Sequence, residues 1–145
     1  MNRWFLMLGM LLNGTVLAAP LIASKAVEMR QAMDDLTAAA LNHDMQVVKV
    51  QPIDSALVKR GYEDPHVRIV FVGSETAVRW AEAADPRLLN LLPLRLSLVQ
   101  RGERIVVVAD DLEPWKQEFK DSPGLVLLQA IEEELKGVLT DFVKQ

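Results

Sequence analysis

From Pro93 onward the chain alternates with a period of two: Leu94, Leu96 and Leu98 share one parity, and Arg95 and Ser97 take the other. That pattern gives a strand with one buried and one different face. Gln100-Arg101-Gly102-Glu103 supplies a short reversal, and Ile105 to Val108 forms a second run of β-branched residues suited to a strand. A hairpin alone is marginal in water, so it needs more sheet and a covering layer. Upstream, Met45 to Gln51 with Val47, Val48 and Val50 reads as one strand, ended by Pro52, and Val67 to Val72 reads as another.

The covering layer shows a different period. Met29, Met33, Leu36 and Ala40 recur at helical spacing and predict a first helix over Lys25 to Asn42. Asp54 or Ser55 caps a short helix through Arg60, with Gly61 as its stop. Ser74 caps a helix running to about Ala84 that Asp85-Pro86 ends, and Asp110 or Asp111 caps a short helix containing Trp115 and Phe119. After the Ser122-Pro123-Gly124 break, Leu125, Leu128, Ile131, Leu135, Val138, Leu139 and Phe142 mark the strongest helix. The expected fold is α+β: a single domain with an about four-stranded mixed β-sheet and two long helices packed on one face.

The amino terminus departs from this scheme. Arg3 precedes an apolar run from Trp4 to Leu12, Asn13-Gly14 interrupts it, and Val16-Leu17-Ala18 offers small residues at the positions a signal peptidase reads. The expected organisation is a signal peptide over residues 1–18, a short linker over 19–24 and the α+β domain over 25–145, hence a periplasmic or secreted protein with no stable membrane insertion after cleavage. Cleavage after Ala23 and an uncleaved anchor are the alternatives, because Trp4 to Ala23 is about long enough to span a bilayer.

Composition narrows the chemistry. The net charge is -4 and falls by one more unit when Arg3 leaves with the leader, which argues against nucleic acid or anionic lipid as partners. With no cysteine, the chain has no disulfide, thiolate nucleophile, zinc-cysteine site or attached c-type haem. Two histidines make an all-histidine metal site within one chain implausible.

Taken as an ordered set, the opening helix, Lys59-Arg60-Gly61 after a strand, Asp85-Pro86 after a helix, and Leu91-Leu92-Pro93 before the hairpin resemble the bacterial domain of unknown function family 302, over roughly Val27 to Phe142. The resemblance implies the α+β fold and a tendency to dimerise, and no established activity. Many members have cysteine after the Leu-Leu-Pro, where this chain has Leu94, so a thiol-based role does not carry over.

Candidate chemistry centres on the sheet. If Val67, Ile69, Phe71 and the leucines of the hairpin face the helices, alternation places Arg68, Arg95 and Ser97 on the other face together with Arg104 and several valines. Arginines brought together there could hold a carboxylate, phosphate or haem propionate through bidentate hydrogen bonds, with the valines against apolar carbon. The plainer alternative is that the valines form a homodimer interface. His66, beside Asp64-Pro65, is a candidate ligand for haem iron or a metal, and His43 a weaker one, better suited to a helix end. No cofactor is specified. No nucleophile constellation or phosphate loop is present: the serines lack a G-x-S-x-G setting and the glycines are scattered. Trp80 and Trp115 are expected in the core. The expected role is a non-enzymatic binding or accessory protein with a small anionic or amphipathic ligand held by Arg68, Arg95, Ser97 and His66. The rivals are a structural dimeric module for another envelope protein and a hydrolase or isomerase using loop carboxylates.

Overall fold

The structure, a computed structural model, describes residues 21–51 and 65–145. The proposed signal peptide and the expected helix from Asp54 to Arg60 lie outside them. Among the described residues, five strands form one sheet: β1 (Ile22–Lys25), β2 (Gln46–Gln51), β3 (Val67–Gly73), β4 (Leu94–Arg101) and β5 (Arg104–Ala109). Their order is β1-β5-β4-β3-β2, with every neighbour antiparallel, so the sheet is neither four-stranded nor mixed. The added strand is β1, in the stretch expected as a linker and the start of the first helix. Its four residues carry too short a pattern to announce a strand, and it is specified by pairing with β5, Ala23 opposite Val107 and Lys25 opposite Ile105.

Among the described residues, four helices supply the cover: α1 (Met29–Leu41), α2 (Glu75–Ala84), α3 (Glu113–Glu118) and α4 (Gly124–Lys144). Leu36, Ala39 and Ala40 of α1, Ala81 of α2 and Leu128, Leu135, Val138 and Phe142 of α4 share one core with Val70 and Val72 of β3, Leu94, Leu96 and Leu98 of β4, and Ile105 and Val107 of β5. These four helices thus cover one sheet face. Local signals set the boundaries: Ser74 Oγ accepts from the Ala77 N–H at 3.3 Å, and Asp85 accepts from the Arg87 N–H to open a 3₁₀ turn over Pro86–Asn90. The N-cap of α3 is Leu112, so neither expected aspartate holds that position, and Asp111 just before it accepts from the Glu113 N–H at 2.9 Å. The hairpin turn uses Gly102 at φ 60°, where a residue with a Cβ would be strained. Among the described residues, no helix is long and apolar enough to cross a membrane.

Trp80 corrects an expectation, since it is 39% exposed on α2 rather than in the core, whereas Trp115 packs against the core and stacks on Phe119 with ring centroids 6.0 Å apart. Asp35 is the opposite surprise. It is the one buried charged residue among those described, held by the Lys25 ammonium and by Gln31 at 2.7 Å, and the Lys25 hydrogen bond holds its carboxyl below the usual range.

A candidate binding face on the open side of the sheet

The strand register orders the face away from the helices into rows, because directly opposed residues point the same way. One row runs Lys49, Phe71, Arg95. The next runs Gln51, Ile69, Ser97, Val108, Ile22, and the third Val67, Val99, Val106, Ser24. A fourth pairs Arg101 with Arg104 across the hairpin turn. Two largely apolar rows therefore lie between two basic ends. Six residues separate Arg95 from Arg101, so at about 3.4 Å per residue these ends stand roughly 20 Å apart.

The apolar side chains there are half-buried by their own neighbours, apart from Ile22, which is 58% exposed. Arg95 is paired with Asp110 at 3.2 Å, both groups being open to water. Arg104 turns its Nε to Ser24 Oγ at 2.8 Å. Placing two arginines directly opposite each other on neighbouring strands is unfavourable unless an anion or solvent lies between them, and among the described residues this is the one place on the face where the fold does it.

The expected site is not assembled as read. β3 has the opposite parity: Val70 and Val72 are fully buried and pair with Leu96 and Leu94, and Arg68 pairs with Leu98 on the helix side. Arg68 and Arg95 therefore occupy opposite faces. Arg68 is tolerated on the covered side because it stands at the strand entrance, where its guanidinium donates to the Val67 and Pro65 carbonyls at 2.8 and 3.2 Å. Val67, Ile69 and Phe71 are correspondingly on the open face. Ser97 and Arg95 are where the alternation puts them. His66 is exposed at the start of β3, its Nδ1 2.9 Å from Gln100 Oε1. Among the described residues, no group of three metal-ligating side chains includes it.

Sequence reasoning missed Arg101 as a partner of Arg104 because it lay in the expected reversal rather than in β4. Lys49 was missed because its parity depends on a register shift in β2 between Val47 and Lys49. The runs of carboxylates do not converge. Glu132 accepts from Lys116 at 2.9 Å, Glu133 from Lys136 at 2.9 Å, and Glu134 turns to His43.

The sequence profile of the family described as "Domain of unknown function DUF302" matches residues 22–142. The fold is similar to the crystal structure of an uncharacterized conserved DUF302 protein from Bacillus stearothermophilus, with a TM-score of 0.72 and 14% identity, covering 84% of this chain and 96% of that one. No curated protein matches the chain.

Proposed function

The chain belongs to the family of domains of unknown function DUF302, and from that premise we propose that it is an exported, non-catalytic binding protein whose open sheet face takes an amphipathic anion. The observation that supports this reading is the pair of apolar rows between basic ends, with Arg101 and Arg104 directly opposed. An apolar body would lie over Val67, Ile69, Val99, Val106 and Val108, and a carboxylate or phosphate would offset the repulsion at the hairpin turn, where a guanidinium fork suits it better than an ammonium. Ser97 in the middle offers one hydroxyl. Arg95, already paired with Asp110, contributes less. A homodimer through the same face would set Lys49, Arg95, Arg101 and Arg104 of one copy against those of the other, so the charge favours an anionic partner over a second copy.

Isothermal calorimetry with a fatty acid, an alkyl phosphate and haem tests the reading. Binding should weaken at least about tenfold in Arg101→Glu and on replacing Val106 with Asp, fall with added salt, and change little in Arg68→Ala. Silence from the whole panel, together with a dimer seen by sedimentation that Val106→Asp dissociates, would replace the ligand with a partner protein as the occupant of this face.

A further inference from the structure

A second site lies at the edge of the sheet and does not depend on the open face. Among the described residues, no strand pairs beyond β1. The Ala109 N–H donates to the Leu21 carbonyl at 2.9 Å, and with Ile22 opposite Val108 the antiparallel alternation turns the backbone groups of Leu21, Ala23 and Lys25 toward β5. Those of Ile22 and Ser24 point out of the edge. Arg104 donates to the Ser24 carbonyl at 3.1 Å, which leaves the Ile22 N–H and C=O and the Ser24 N–H facing outward. Beside this edge runs α4, and between them is a groove of about 530 Å³ with Leu139 and Val143 along its wall. Val143 is 47% exposed, a residue the core leaves over.

Lys136 and Lys144 stand at the two ends of the groove. Eight residues of helix separate them by about 12 Å, close to the roughly 13 Å span of four strand residues. Among the described residues Lys144 has no ion-pair partner, and Lys136 is shared with Glu133 at 2.9 Å and Glu132 at 3.8 Å. Asp141, on the same helix, is turned to His43. The groove therefore offers free strand backbone, an apolar wall and two ammonium groups at a spacing of four strand residues, of which Lys144 is unpaired among the described residues and Lys136 is shared with two glutamates. We propose that it takes an extended acidic segment of another protein as a sixth strand, with carboxylates at positions i and i+4 meeting Lys136 and Lys144 and a small apolar side chain between them against Val143. A second copy is the poorer occupant, because pairing β1 with itself about a two-fold axis would bring the lysines of both copies to the same seam.

The probe is a fluorescein-labelled peptide, Thr-Glu-Thr-Val-Thr-Glu-Thr, followed by fluorescence anisotropy. Saturable binding is expected, weakened at least about tenfold by Lys144→Glu and by salt. Ile22→Pro should have the same effect while leaving the melting temperature nearly unchanged, because the N–H it removes points away from β5. A peptide N-methylated at alternate residues on its strand-pairing side should not bind. Phe71→Ser, on the open face, should bind the peptide like the wild type, which separates this site from the one proposed above. Equal binding by Lys144→Glu, equal binding by the N-methylated peptide, no saturable binding, or a dimer in sedimentation that Ile22→Pro abolishes would each overturn the proposal. Should Ile22→Pro fail to fold, the Lys144→Glu and N-methyl results decide it.

Discussion

His43 is placed by the carboxyl end of α1 between two carboxylates of α4, its Nδ1 2.9 Å from Glu134 Oε2 and its Nε2 2.9 Å from Asp141 Oδ2. Ionised carboxylates only accept, so both contacts are hydrogen bonds when the ring is protonated and both its nitrogens donate. Burial is the largest single influence and lowers the pKa, but the hydrogen bonds to Asp141 and Glu134, with their charges, outweigh it and the net shift is upward. A raised pKa in the folded state stabilises fully below the unfolded value of about 6.5, and that contribution is lost as pH rises through the folded value. His43→Gln should therefore lower the melting temperature most below the unfolded value, with the gap to wild type closing as pH rises through the folded one. The ring fits because position 137 is glycine: a Cβ there would stand 2.2 Å from His43 Cε1. In an ordinary helix interior Gly→Ala gains about 1 kcal/mol. Here Gly137→Ala should destabilise by about 1–3 kcal/mol, and in a His43→Ala background the same change should stabilise. Urea titration of the four proteins checks the reversal, and a Gly137→Ala effect of the same sign in both backgrounds would remove the ring as its cause.

The strands differ in how much of their orientation is local. From Leu94 to Leu98, β4 carries apolar residues at one parity only, so Leu94, Leu96 and Leu98 could be assigned to the core from sequence, and all three are buried. β3 is apolar at both parities except for Arg68, and reading the arginine outward puts the strand in backwards. Its true parity comes from pairing Val70 with Leu96, which no window inside β3 contains. β1 is the same difficulty in a stronger form, a strand specified by a partner some eighty residues away. The helices were legible because α4 repeats its apolar stripe over its full length, and Ser74 and Asp85 mark ends through their own hydrogen bonds. Leu96→Ala should cost roughly 2–5 kcal/mol, and Arg95→Ala, at a side chain 55% exposed, far less. The sharper test of orientation is in β3. Val70→Ser should lower the urea midpoint well beyond Ile69→Ser, although the intrinsic loss of apolar surface is greater for isoleucine, and the reverse order would mean that β3 faces the other way.

At the scale of the molecule, the half of the candidate site that was legible is the half that depends on β4 and β5, namely Arg95, Ser97 and Arg104. Arg68 was lost with the parity of β3, and Arg101 and Lys49 were gained from the register of whole strands. The same sheet bears on the amino terminus. Ala23 is 9% exposed and pairs with Val107, and the Leu21 carbonyl accepts the Ala109 N–H at 2.9 Å, so β1 belongs to the folded unit. A cut after Ala23 would remove Leu21, Ile22 and Ala23 and with them the first half of β1, at a cost of at least about 2 kcal/mol if two backbone hydrogen bonds of about 1 kcal/mol each are lost. A cut after Ala18 spares every described residue. If the chain is exported as proposed, a processed form made in a bacterial envelope should begin at Ala19, and intact-mass measurement reads the site directly. The physical half of the argument has its own check. A chain starting at Ser24 should melt below one starting at Ala19, and equal melting temperatures would show that β1 contributes nothing to stability and leave the sheet with no preference between the two cleavage sites.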